Sequence, residues 1–156
     1  MTDARHAVVD SSVAAELGRA SIRAGARIEI DAGPDRIWTE LVAVDAWGDW
    51  YHGVTNVRGT APLEHGSQFR FKAGPASIKA VVDRLIVEEE LGFTGSSRGS
   101  HTAYLFQLRP DDDGTIVMAA QTMGGLAART MKPVLQGVTE KAVVRWLDAL
   151  KGRVEA

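Results

Sequence analysis

Residues 31–50 constrain the fold more than any other stretch of this chain. A strand-like segment, residues 26–31, carries Ile28 and Ile30 on one face and runs into Gly33-Pro34. Proline is tolerated at the first helical position and Asp35 suits the positive end of a helix, so a helix starts there. Ile37, Trp38 and Leu41 give it an apolar stripe. Residues 45–50 make a second, shorter helix that brings Trp47 and Trp50 close together.

Six further strand-like segments follow: residues 54–60, 67–73, 76–87, 91–96, 101–109 and 115–122. Phe69 and Phe71 alternate on one of them, and Tyr104, Phe106 and Leu108 on another. Gly74-Pro75, the glycine- and serine-rich residues 95–99, and Asp113-Gly114 mark turns. Such short connections favour antiparallel neighbours. Residues 126–154 then read as one long helix, with Leu135, Val138, Ala142, Leu150 and Val154 along a stripe that Trp146 and Leu147 widen. Gly124-Gly125 permits a sharp approach, and Pro133 predicts a kink or restart. The order predicts an α+β domain in which a curved sheet wraps one long terminal helix and leaves a cavity. Small residues at Ala80, Ala119, Ala120, Ala127, Ala128 and Gly137 are expected to provide the room.

Residues 1–24 read as an N-terminal appendage in which Asp10-Ser11-Ser12 caps a short helix carrying Val13 and Leu17. Residues 25–156 form the main domain. At 156 residues, 45% hydrophobic and 24% charged, one globular domain is the expectation. A net charge of −2 argues against nucleic acid as partner. No run of ~18 apolar residues predicts a membrane span, and no basic head precedes an apolar core at the N-terminus. Without cysteine, thiolate chemistry is excluded. The expected location is the cytoplasm.

The pattern resembles the START-related helix-grip (SRPBCC) superfamily, in particular its polyketide cyclase/dehydrase and lipid-transport branch. Residues 34–50 look like that family's first two helices, Gly66 like the glycine before its third strand, residues 106–115 like its last hairpin, and the terminal helix like the gripping helix. The resemblance spans residues 26–154. It implies a seven-stranded antiparallel sheet curled round the last helix, with two short helices after strand 1 and an internal apolar cavity. It implies less about function, because the superfamily holds ligand carriers, cyclases, hydroxylase domains, chaperone regulators and toxins.

Three readings follow: a small hydrophobic molecule (lipid, polyketide-like aromatic or isoprenoid) bound in the cavity, a cyclase or dehydratase, or a protein-interaction module, as monomer or homodimer. The expected cavity residues are Trp50, Tyr51, His52, Phe69, Phe71, Tyr104, Phe106, Met118, Met123, Met131 and Leu135. Methionine adapts to irregular apolar ligands, and a buried phenol needs a partner. If catalysis occurs, His101 with Tyr104 is the acid/base pair the sequence offers. Trp47 is expected to be a packing anchor. The histidines lack metal-ligand spacing, and no cofactor motif is present. Gly95-Ser96-Ser97-Arg98-Gly99 fits a serine-hydrolase elbow formally, but a strand pattern follows it where the elbow needs a helix, so it reads as a hairpin loop.

Overall fold

A computed structural model describes residues 21–156. The appendage helix expected around Val13 and Leu17 lies outside the described residues. The elements, in order, are β1 (Ile22–Ile30), α1 (Pro34–Val42), a 3-10 turn (Val44–Ala46), α2 (Trp47–Trp50), β2 (Thr55–Arg58), β3 (Gln68–Ala73), β4 (Ala76–Ile86), β5 (Glu90–Ser97), β6 (Ser100–Asp111), β7 (Gly114–Gly124), α3 (Leu126–Thr130) and α4 (Lys132–Glu155). The seven strands form one antiparallel sheet in the order β1-β7-β6-β5-β4-β3-β2. The chain thus crosses from one sheet edge to the other through α1 and α2, and α4 returns across β1 and β7.

β1 begins at Ile22, ahead of the expected strand. Arg23, Ala24 and Gly25 blur the alternation in sequence, yet Ile22 pairs with Met123 and is fully buried. Proline opens α1 as expected, and Thr39 Oγ1 donates to the Asp35 carbonyl at 2.9 Å. Its inner face buries Ile37, Trp38 and Leu41, and also Glu40. The Glu40 carboxylate accepts from Arg36 at 2.9 Å and from Arg153 of α4 at 3.1 Å, so one acid ties the two helices together. Burial acts to raise its pKa, but the two arginines outweigh that and hold it below the usual carboxylate value. At the end of α4, Lys151 Nζ donates to the Glu29 carbonyl at 2.7 Å and the Asp31 N–H donates to Glu155 at 2.8 Å.

Trp47 is the hub of the core. It is fully buried, donates from Nε1 to the Leu41 carbonyl at 3.0 Å, and meets Phe69, Phe71, Phe93 and Trp146 at centroid distances of 5.4–6.3 Å. Edge-to-face contacts dominate, as aromatic quadrupoles favour. The long helix breaks at Met131, just before Pro133 in the first turn of α4. Its C-terminal half buries Trp146, Leu147, Leu150 and Val154 against this core. Its N-terminal half buries Thr139 and, where it meets the core, Val143, but leaves Leu135 half-buried and Val138 exposed, so the apolar stripe continues past the solid core. Among the described residues no helix is long and apolar enough to cross a membrane.

Candidate functional site

A hollow of about 740 Å³ lies where the N-terminal half of α4 overhangs the sheet, within the range of small-molecule sites. The inward positions of β6 and β7 follow from register: Thr102 faces Met123 and Tyr104 faces Gln121. All four line the hollow. Phe71 and Ile78, opposite one another on β3 and β4, form a second wall, and Leu135, Val138, Ala142 and Trp146 of α4 form the roof. The hairpin of residues 73–76, the segment 50–54, and Ser97 and Ser100 at the β5–β6 turn ring the mouth.

The space comes from small residues other than the expected ones. Ala73, Gly74, Ala76, Ala142 and Ala149 line the hollow. Ala80 and Ala119 instead sit in the solid core, Ala120 packs on the opposite sheet face, Ala128 is fully buried beside β7, and Ala127 and Gly137 also lie off the lining.

The expected site residues divide. Trp50, Tyr51, His52, Phe71, Tyr104, Met123 and Leu135 line the hollow. Phe69 and Phe106 face inward but fall among the packed rings around Trp47 and Trp146, so they are core residues rather than lining. Met118 faces the other side of the sheet, in a small cluster with Leu105 and Ile116. Met131 is 51% exposed at the α3–α4 break. His101 does not pair with Tyr104. Three residues apart on one strand, they point to opposite faces, and the His101 ring lies exposed against Gly124. The sequence reading missed Thr102, Gln121, Thr139, Ala142 and Arg145. For Thr102 the signal was there, since it shares strand parity with Tyr104.

The chemistry of the lining is apolar with neutral polar groups and no carboxylate; the cation Arg145 and His52 belong to the mouth. Burial pushes the Tyr104 phenol well above its ordinary pKa; the neighbouring Tyr51 adds to this and a hydrogen bond with Thr102 opposes it. At neutral pH Tyr104 is therefore a neutral hydrogen-bonding group and not a base. Tyr51 is also raised by burial, with the Arg145 charge opposing, and its hydroxyl donates to the Ala142 carbonyl at 3.4 Å. Its ring stacks on Trp146 at 4.7 Å. The indole N–H groups of Trp50 and Trp146, both on lining residues, find no acceptor among the described residues.

Residues 21–155 match the family model described as polyketide cyclase / dehydrase and lipid transport. The chain belongs to this family. No curated protein matches it by sequence. Among solved structures, a hypothetical protein, jhp0584, from Helicobacter pylori is 15% identical with a TM-score of 0.75, the match covering 88% of this chain and 90% of that one. A START superfamily protein from Mycobacterium smegmatis is 15% identical with a TM-score of 0.74, covering 85% and 97%. The Zhui aromatase/cyclase from Streptomyces sp. R1128 is 15% identical with a TM-score of 0.74, covering 85% and 93%. At that identity the likeness is one of fold, and it is the helix-grip fold that the sequence pattern implied. The family member described here joins that fold to a hollow bounded by α4.

Proposed function

We propose that this polyketide cyclase/dehydrase and lipid-transport family member binds one small hydrophobic molecule inside the hollow beneath α4. The observation that carries the reading is the mismatch along α4: the apolar stripe runs its full length, but Leu135, Val138 and Ala142 on it face the hollow and are not packed into the core. Apolar surface left facing a hollow of about 740 Å³ is stabilised by an apolar occupant at ~25 cal/mol per Å² removed from water. The hydroxyls of Tyr104 and Thr102 on the lining favour an occupant with a polar oxygen. A lipid, a polyketide-like aromatic or an isoprenoid bearing a carbonyl or hydroxyl meets both demands.

A cyclase-type activity is the second reading, favoured by the fold shared with the Zhui aromatase/cyclase. It would work by folding a substrate against the lining, with Tyr104 as a hydrogen-bonding group and without His101. Native mass spectrometry of protein purified from its source cell, followed by organic extraction, tests the binding reading. The expected result is a one-to-one apolar adduct. Protein that never carries or takes up an apolar compound contradicts it.

A further inference from the structure

The face of the sheet turned away from α4 carries a second feature. Arg58 of β2 lies directly opposite Arg70 of β3, and Arg70 directly opposite Lys79 of β4. The row continues through Ser96 of β5 to His101 of β6. Lys72 stands two residues along β3, and Arg98 sits in the β5–β6 turn. These five cations border an open depression of about 650 Å³ whose lining contains no Asp or Glu. All are exposed, and none of them makes an ion pair or hydrogen bond through its side chain among the described residues. Like charges directly opposite on neighbouring strands destabilise a sheet. Here three stand in a row in a chain whose net charge is −2, and nothing in the described fold relieves them.

We propose that this face docks an acidic helix of a partner protein. Neighbouring strands are ~4.8 Å apart, and side chains three or four residues apart on a helix are ~5–6 Å apart. A helix laid across the strands with one acidic stripe therefore places successive carboxylates against Arg58, Arg70 and Lys79. An open, fully exposed array with no buried polar side chain suits a macromolecular surface better than a small ligand. Nucleic acid, with one charge per ~1.7 Å of duplex, is bound by domains that are basic overall, which a pI near 6.1 is not. An anionic membrane would be met by apolar tips among the cations, and the depression presents polar and charged groups on its outward positions. The docked helix would lie beside the hollow's mouth, since Ser97 borders both features and the Arg98 turn joins Ser97 to Ser100.

The test is fluorescence anisotropy with a labelled synthetic helical peptide carrying glutamates at i, i+4, i+7 and i+11. The wild-type chain, Arg70→Glu, Lys79→Glu and the control Arg109→Glu are compared; Arg109 is exposed at the far end of β6. The expected result is saturable binding, weakened about tenfold or more by either patch reversal, unchanged in the control, and lost in about 1 M salt where the screening length is ~3 Å. Absence of saturable binding overturns the proposal, as does equal weakening by Arg109→Glu. It is also overturned if phosphatidylglycerol vesicles, a single-stranded oligonucleotide or pyrophosphate bind through Arg70 and Lys79 more tightly than the peptide.

Discussion

Replacing Ala142 with phenylalanine separates a hollow interior from a solid one. Ala142 lies on α4, half-buried, with its side chain among those lining the hollow. Full burial of a phenyl group is worth ~1.5–3 kcal/mol. About half of that is available at a half-buried site, and the lower helix propensity of phenylalanine removes ~0.5 kcal/mol. The net expectation for Ala142→Phe is a change between zero and about 1 kcal/mol in favour of the fold. Ala119→Phe is the matched control. Ala119 is 4% exposed and sits between Ala26 and Phe106 in the sheet register, inside the packed core. Overpacking there costs about 2–3 kcal/mol. Urea denaturation of the two variants should therefore differ by about 2 kcal/mol or more. Ala142→Phe should also weaken binding of an apolar dye by about tenfold, because the added ring occupies the ligand's volume. If Ala142→Phe destabilises as much as Ala119→Phe, the space beneath α4 is not a hollow and the reasoning fails.

Trp47→Phe should cost about 2–3 kcal/mol, through the lost hydrogen bond to the Leu41 carbonyl and the void left among four aromatic neighbours; a loss under about 0.5 kcal/mol in chemical denaturation would remove its role as anchor. Glu40→Gln should cost about 1 kcal/mol near neutral pH, the two partner arginines being 47% and 40% exposed. The Glu40 pKa is lowered in the fold, so its contribution is present above the unfolded carboxylate value and is lost as pH falls through the folded one. The gap between wild type and Glu40→Gln should therefore close on acidification, and a gap that widens refutes the assignment. Tyr104→Phe should weaken a carbonyl-bearing apolar ligand by about fivefold, while His101→Ala leaves binding unchanged; calorimetric titration of both variants shows whether the two groups act on different faces.

The fold was written plainly in the chain because each element carried its own period and its own stop signal. Gly33-Pro34 opened α1, Asp113-Gly114 closed the last hairpin, and Pro133 marked the helix restart. The site was less legible for two physical reasons. First, strand parity decides which face a residue takes. Parity alone puts His101 and Tyr104 on opposite faces, against the pairing expected from the sequence, but on β7 the run Ile116-Val117-Met118-Ala119-Ala120 is apolar on both faces, and only pairing with β6 shows that Met118 points outward. Second, facing inward does not place a residue at the hollow. Phe69 and Phe71 share a face of β3, yet only Phe71, nearer the hairpin of residues 73–76, lines it. Distance along the strand from the Trp47 core decides this, and that distance exists only once the sheet is assembled around α4.

The most direct measurement is solution NMR of the labelled protein titrated with the apolar dye N-phenyl-1-naphthylamine. The account predicts saturation at one dye per chain, with dye contacts to Tyr104, Leu135 and Ala142 and none to the outward-facing Met118. Failure to saturate, or contacts confined to the exposed side chains of Leu126, Met131 and Val134, would contradict it.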